Sequence, residues 1–267
     1  MRCFSDDNVV HVSGSVDPIR DIEIIETELL LSDVDTLAKH ISKLEKAVKT
    51  GDKDVKANLA TLTALDKHLS SGQPARRFTI PEGQEDALAA FEQLLSSKPV
   101  MYVANLDEED LSTTPTPAGD RLLDKVAKHA QEQNTPLVMI SGKVEAELAE
   151  LSTEDRKAYL EELKMDSSGL DRMAVAGYEL LGLVTFFTIG PKEARAWTAT
   201  SGSKAPQAAG KIHSDFEKGF IRAEVISYSD YIDAGSEVKV RERGKLRVEG
   251  KEYIVQDGDV VHFRFNV

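Results

Sequence analysis

The sequence has 267 residues, of which 41% are hydrophobic and 30% charged, so it can form two domains with apolar cores and is not typical of a disordered chain. Its formal net charge of −13 at pH 7 argues against nonspecific nucleic-acid binding if the charge is evenly spread. No apolar run approaches the ~18 residues of a membrane span, and the start MRCFSDDNVV lacks a signal-peptide pattern, so we expect a soluble, cytoplasmic protein.

The first predicted element is a short strand at Met1–Phe4. It contains Cys3, which is the only cysteine; this excludes an internal disulfide framework and a thiolate metal site and indicates a small buried hydrophobic residue. His11 follows in DDNVVHVSG, between an acidic start and a turn of small residues. A loop histidine could transfer a proton or position a water there, and a structural role is the alternative.

Two runs of heptad spacing come next, separated by the turn sequence KTGDKD. The first run extends from about Asp21 to Lys49, and the second ends at SSGQP. Their apolar positions are Leu30, Val34, Leu37, Ile41, Leu44 and Val48, then Val55, Leu59, Leu62, Leu65 and Leu69. The pattern predicts an antiparallel helical hairpin, which is either an ordinary pair of packed helices or an arm that binds a protein partner.

A helix predicted at Gln84–Ser96 leads into the apolar strand of PVMYVANLDEED, which ends at Asn105 and is followed by four carboxylates. A helix from about Gly119 to Gln133 precedes a second apolar strand in TPLVMISG, and the helix KVEAELAEL follows. This alternation predicts a parallel sheet that is too small for a complete doubly wound domain. Loops after such strands usually face a ligand, and a solvated turn is the alternative.

After a helix at about Leu170–Leu181 the composition changes. From Val184 to Val267 there are 13 Lys and Arg against 12 Asp and Glu, a net charge of +1, so the first 183 residues carry −14. The segments LVTFFTIG, EARAWTA, FIRAEVI and EYIVQDGDVVHFRFNV, with a short helix near Gln207–Phe216, predict a compact mixed-sheet domain with Trp197 in its core or rim.

Basic residues are the candidate RNA contacts of this C-terminal third. In VKVRERGKLRV they alternate, which predicts that they share one face of a strand. They would bind RNA or the ribosome, or they would protect a solvated edge strand by charge. The candidates are Lys211, Lys218, Arg222, Arg241, Arg243, Lys245 and Arg247.

Several catalytic classes find no support. The sequence contains no GxxxxGK[ST] phosphate loop, no HxxxH or HExxH zinc spacing and no GxSxG nucleophile elbow. DSSG at Asp166–Gly169 has the outline of an NTPase switch motif, but it lies between two predicted helices. We therefore predict no metal site within these residues.

Longer strings resemble a known family. RCFSDDNVVHVSGSVDPIRDIEIIETEL, MYVANLDEED, SGKVEAELAEL, APQAAGKIHSDFEKGFIRAEVI and EYIVQDGDVVHFRFNV together resemble the YchF family of Obg-related P-loop ATPases, from Arg2 to Val267. The resemblance implies an α/β fold: a partial parallel-sheet NTPase domain at residues 1–18 and 84–183, an antiparallel coiled-coil insertion at 19–83, and an α+β ubiquitin-like β-grasp (TGS) domain at 184–267. A TGS domain implies binding to RNA or the ribosome.

The resemblance also assigns roles to single residues. NLDE looks like the family's variant of the NKxD base-recognition motif, with Asn105, Leu106 in the lysine position and Glu108 in the aspartate position. The longer acid is no longer placed for the two donors of guanine, which fits a preference for ATP. Ser141, Gly142 and Lys143 resemble the loop that closes over the base, and His11 aligns with a histidine implicated in hydrolysis.

The family's phosphate loop, switch regions and magnesium ligands have no counterpart in this sequence. ATP and Mg²⁺ are the cofactors of the complete family, and their phosphate cradle supplies most of the affinity and the electrostatic stabilisation. We therefore expect these 267 residues alone to bind ATP weakly or not at all and not to hydrolyse it. Two interpretations follow: the C-terminal portion of a ribosome-associated ATPase, or a non-enzymatic module that binds the ribosome or RNA without nucleotide.

Overall fold

A computed structural model of the chain describes residues 1–6, 14–48, 52–116, 119–190 and 193–266. The structure divides into two compact units, Met1–Ala176 and Gly177–Val267. Within the described residues, no helix is both long and apolar enough to cross a membrane.

The first unit begins with a helical hairpin, formed where the two heptad runs predict helices. It consists of α1 (Pro18–Ala47) and α2 (Lys53–Ser70). Asp17 caps α1 by accepting from two backbone N–H groups, and Pro18 at the first helical position needs no hydrogen-bond acceptor. The heptad positions pack together: Leu37, Leu62 and Leu65 are fully buried. The apolar spacing is therefore what holds the two helices together.

The rest of this unit alternates helices with a two-stranded parallel sheet. The elements are α3 (Glu85–Glu92), β1 (Tyr102–Asn105), α4 (Leu122–Glu132), β2 (Leu137–Ile140), α5 (Gly142–Glu150), α6 (Thr153–Glu162) and most of α7 (Gly169–Leu180), which continues past the unit boundary at Ala176. β1 and β2 run parallel, with Asn105 opposite Ile140 at their carboxyl ends. The predicted strand at Met1–Phe4 forms a single parallel bridge from Arg2 to Asn105. Cys3 is buried, and burial raises the pKa of its thiol to about 11, in line with a hydrophobic role.

The second unit is a mixed five-stranded sheet with helices on both faces. Its elements are β3 (Leu183–Ile189), β4 (Ala194–Thr200), α8 (Ala205–Ile212), α9 (Ser214–Lys218), β5 (Phe220–Ser227), α10 (Tyr228–Ala234), α11 (Glu237–Glu242), β6 (Arg247–Glu249) and β7 (Asp259–Phe265). The strand order is β4-β3-β7-β5-β6, and only β3 and β7 run parallel. Val225 packs in a cluster with α8 while its neighbour Ile226 packs with α10 and α11, so these helices cover opposite faces.

The strand predicted across VKVRERGKLRV is wrong for most of its length. Residues 237–242 form α11, and only Arg247–Glu249 is extended. Ser236 caps the helix by accepting from the Lys239 N–H, Arg241 pairs with Glu237 one turn earlier, and Val240 is fully buried. Gly244, with φ +66°, then ends the helix. The basic residues of this segment therefore do not share one strand face.

Candidate functional site

The carboxyl ends of β1 and β2 are joined by the Asn105 side chain. Its Oδ1 accepts a hydrogen bond from the Gly142 N–H at 2.8 Å, and the Leu106 N–H donates to the Ile140 carbonyl at 2.8 Å. Asn105 and Gly142 are 37 residues apart in sequence. The structure thus brings the predicted base-recognition segment and the predicted closing loop together at the carboxyl-terminal ends of β1 and β2, which form one edge of the sheet. Parallel sheets bind ligands at this edge.

Glu108 and Lys143 face each other at this edge. The Lys143 Nζ lies 3.7 Å from the Glu108 Oε2, and the Lys143 side chain is 73% exposed and that of Glu108 37%. An ion pair this exposed contributes at most ~1 kcal/mol to stability. The pair also places a hydrogen-bond acceptor and a donor side by side on the surface.

The other two predicted base contacts lie in the interior. Leu106 is 2% exposed and packs in the core with Ala104 and Val144. Ser141 is 1% exposed and precedes α5, where its carbonyl accepts from the Glu145 N–H. Both residues therefore position the loops from beneath, while Asn105, Glu108, Gly142 and Lys143 form the accessible edge.

Glu145, which was not among the predicted site residues, fixes the segment behind this edge. Its two oxygens accept from the backbone N–H groups of Gly169 at 2.6 Å and Leu170 at 3.3 Å, at the start of α7. A Cβ on Gly169 would lie 2.8 Å from both Glu145 and Ile140, so a larger residue would displace these side chains. DSSG is thus a helix start, capped by the Ser168 hydroxyl, which accepts from the Asp171 N–H.

Asp124 organises the loop that follows β1. Its carboxylate accepts from the Thr116 N–H at 2.7 Å and from the Arg121 guanidinium at 2.8 and 2.9 Å. The hydrogen bonds from Arg121, followed by the one from Thr116, lower the pKa of Asp124 to about 2. The described part of this loop is therefore tied to α4 by one ionised side chain.

This lowered pKa predicts an acid-dependent stability. The folded-state pKa lies below the ordinary value of 3.8, so the ionised carboxylate stabilises the fold above pH ~4, and that contribution disappears as the pH falls towards ~2. Asp124→Asn should therefore lower the urea midpoint at pH ~5 and approach the parent protein at pH ~2. The exposed Asp120→Asn in the same loop is the control. A deficit that is equally large at both pH values would contradict the assignment.

His11 lies outside the described residues, so its proposed catalytic role stays a prediction. Across residues 1–6, 14–48, 52–116, 119–190 and 193–266, no three His, Cys, Asp or Glu side chains come together as ligands for a metal ion.

The predicted basic residues of the second unit are divided between the two faces of its sheet. Lys211 and Lys218 lie on α8 and α9. Arg222 and Arg241 lie near each other on the face with α10 and α11, since both approach Glu224. The remaining three residues are paired individually: Arg243 with the Asp233 carbonyl, Lys245 with Asp230, and Arg247 with Tyr253, Glu249 and Asp259.

Arg264 lies beside Arg222 and Arg241, although it was not among the predicted RNA contacts. It donates two hydrogen bonds to Glu224, at 3.2 and 3.1 Å. The available signal was the strand alternation in HFRFNV, which puts His262 and Arg264 on the face opposite Phe263 and Phe265. The pairing of that strand with β5 was not readable from the sequence.

Known proteins are similar to this chain over its whole length, and a family model matches its C-terminal third. A family model named YchF-GTPase_C, described as "Protein of unknown function (DUF933)", matches residues 183–266. The "Ribosome-binding ATPase YchF" of Bacillus subtilis (strain 168) is 47% identical over 267 residues, which is 100% of this chain and 72% of that protein. The "Obg-like ATPase 1" of Gallus gallus is 43% identical over 268 residues, covering 100% of this chain and 67% of that protein.

A solved structure, that of the Schizosaccharomyces pombe YchF GTPase, has a TM-score of 0.81 with this chain at 34% identity. The match covers 98% of this chain and 70% of that one.

Proposed function

The chain belongs to the YchF family, and we propose from this membership that it is the C-terminal portion of a ribosome-associated nucleotide-binding protein. In this proposal the edge formed by β1 and β2 recognises the base, and the second unit binds the ribosome. Its relatives are named as ribosome-binding ATPases or as a GTPase, which supports a nucleotide and ribosome association without fixing the base.

One observation supports base recognition most strongly. The Asn105 side chain holds the loop of Gly142 and Lys143 against the loop of Glu108, at the carboxyl ends of two parallel strands. The hydrogen bonds of Asn105 and of the Leu106 N–H fix the distance between these two loops. Glu108 supplies a hydrogen-bond acceptor on one loop, and Lys143 supplies a donor on the other. ATP with Mg²⁺ is the proposed cofactor of the complete protein, and His11 remains the proposed catalytic residue.

The proposed division of the chain follows the family. Residues 1–18 and 84–183 would be part of the NTPase domain, 19–83 a coiled-coil insertion, and 184–267 a TGS domain of the β-grasp type. The five-stranded mixed sheet, with the first and last of its strands parallel and adjacent at the centre, supports the last assignment. The exposed Ile24, Ile25 and Leu31 on α1 support a protein partner for the helical hairpin.

Nucleoside binding tests the base edge without needing a phosphate site. Adenosine at millimolar concentration should shift the backbone NMR signals of Gly142 and Lys143 more than guanosine does, because Glu108 can accept from the adenine amino group but is too long to be placed for the two donors of guanine. Glu108→Gln should reduce this difference, whereas Glu109→Gln, an exposed acid one residue later, should not. Equal responses to both nucleosides, or none, would contradict base recognition here.

ATP turnover separates the chain's role from that of the complete protein. With ATP and Mg²⁺, these 267 residues should show no hydrolysis above background, because they contain no GxxxxGK[ST] sequence to bind the phosphates. The second candidate, a module that binds the ribosome or RNA without nucleotide, predicts in addition no response to adenosine. Turnover above background would overturn both candidates.

A further inference from the structure

Glu224 on β5 is a nearly buried acid surrounded by arginines from three elements. It is 9% exposed. Arg264 on β7 binds it through both oxygens, and Arg222 on β5 and Arg241 on α11 each lie 3.7 Å from it. The hydrogen bonds from Arg264, together with the charges of Arg264 and Arg241, lower the pKa of Glu224, so its carboxylate is a fixed negative charge.

The positive charge at this position exceeds what Glu224 can balance. Arg222 and Arg264 are direct cross-strand partners, and like charges directly opposite each other destabilise a sheet. One further acid, Glu237, lies within 4 Å of these arginines, at 3.2 Å from Arg241. In the described part of the chain, three guanidinium groups therefore meet two carboxylates. A structural ion pair needs one arginine, and the excess favours an anion supplied from outside.

The geometry leaves donors free for such an anion. Each guanidinium has five N–H donors, whereas a carboxylate accepts roughly four hydrogen bonds, so Glu224 and Glu237 cannot use all of them. The three side chains remain 44 to 60% exposed. Glu224 holds them from beneath, which fixes their positions and leaves their outer edges towards solvent.

The shape of the surface indicates the kind of anion. The cavity beside Glu224, lined by Glu237 and His262, has a volume of about 20 Å³, enough for a single water and far too small for a nucleotide. The ligand must therefore lie on the open surface. A planar guanidinium binds phosphate through two parallel hydrogen bonds, and a phosphate in a polynucleotide backbone presents itself without an enclosing pocket.

We propose that Arg222, Arg241 and Arg264, held in place by Glu224, form an arginine clamp for a backbone phosphate of RNA. This inference rests on the proposed ribosome association and names the group that it recognises. Arg264 and the central role of Glu224 were not among the predicted contacts, and Lys211 and Lys218 lie on the other side of the sheet, outside the clamp.

Inorganic phosphate tests the clamp without a ribosome. In NMR spectra of the full chain, the side-chain Nε–H signals of the three clamp arginines should shift saturably with phosphate, and chloride of equal ionic strength should not shift them. Arg195, which stacks on Trp197, is the internal control and should not respond. No response, or the same response from every arginine, would overturn the clamp.

Ribosome sedimentation then tests its use. Arg264→Ala in the full chain should weaken binding roughly tenfold and reduce the slope of log affinity against log salt by about 1. Arg264→Lys keeps the charge but loses the planar fork, so it should recover only part of the affinity. Lys251→Ala removes one exposed charge from the turn before β7 and should have a much smaller effect. Thermal unfolding of each variant checks its fold.

The outcomes separate the clamp from the ribosome proposal. Normal ribosome binding by Arg264→Ala overturns the clamp and leaves ribosome association intact. A phosphate response in a chain that does not bind ribosomes supports the clamp and overturns the association. If Arg264→Ala loses ribosome binding while phosphate shifts no arginine, the surface binds an acidic protein instead. Where phosphate does shift the clamp arginines, a short single-stranded RNA should compete with it, and failure to compete identifies free phosphate as the ligand and overturns the RNA assignment.

Discussion

Replacing Asp33 with alanine is expected to lower the free energy of unfolding of the first unit by about 4 kcal/mol. Asp33 lies on α1, is 1% exposed, and accepts from the backbone N–H groups of Leu95 and Ser96, each at 2.7 Å. A hydrogen bond to a charged group contributes about 1.5–3 kcal/mol, and removing the carboxylate also leaves two N–H groups without acceptors. The loss should therefore be among the largest of any single substitution.

The reason for the size of this effect is that Asp33 connects three segments. Ser96, which it holds, accepts from the Ala75 N–H through its hydroxyl and from the Arg76 N–H through its carbonyl. Hydrogen exchange resolved by mass spectrometry can follow this unit separately from the other. The exposed Asp35→Ala on the same helix should change stability by less than about 0.5 kcal/mol. Similar protection of α1–α3 in both variants would contradict the anchoring role.

Replacing Phe186 with alanine should lower the free energy of unfolding of the second unit by about 4 kcal/mol. Phe186 on β3 is fully buried, and its ring packs edge-on against Phe263 at 5.8 Å between centroids. Truncating a buried phenylalanine typically costs about 3–5 kcal/mol, because both the transfer free energy and the packing are lost. Fluorescence of Trp197, the only tryptophan, reports this unit in a urea titration.

Ile221→Ala is the control for this substitution. Ile221 is 56% exposed on β5, so its loss should change the urea midpoint little. If Phe186→Ala unfolds at the parent's midpoint, the sheet does not depend on this core and the described packing is contradicted.

The elements that sequence could predict are those with local signals. The helical hairpin follows from the heptad spacing of residues such as Leu37 and Leu62, which depends only on positions three and four apart. The strand ending at Asn105 was recognisable because an apolar run stops at a polar residue. The family resemblance implied only that Asn105 and Gly142 both lie near the base. The hydrogen bond between them was not predicted, because 37 residues separate the two.

The elements that sequence could not predict depend on distant pairing. Alternation of basic residues in VKVRERGKLRV matched a strand, but burial of Val240 and the cap at Ser236 favour a short helix. The opposition of Arg222 and Arg264 depends on the register between β5 and β7, which are 40 residues apart. Register is set by tertiary packing, and no spacing within one strand reveals it.

Nucleotide-free sedimentation of the 267-residue chain with ribosomes over a series of salt concentrations tests the central claim most directly. We predict that the chain pellets with ribosomes at about 50 mM salt and that the affinity falls at least tenfold by about 200 mM, because binding to RNA phosphates releases counterions. Failure to pellet at low salt would contradict the proposed ribosome association. Pelleting that does not change with salt would contradict binding through RNA phosphates.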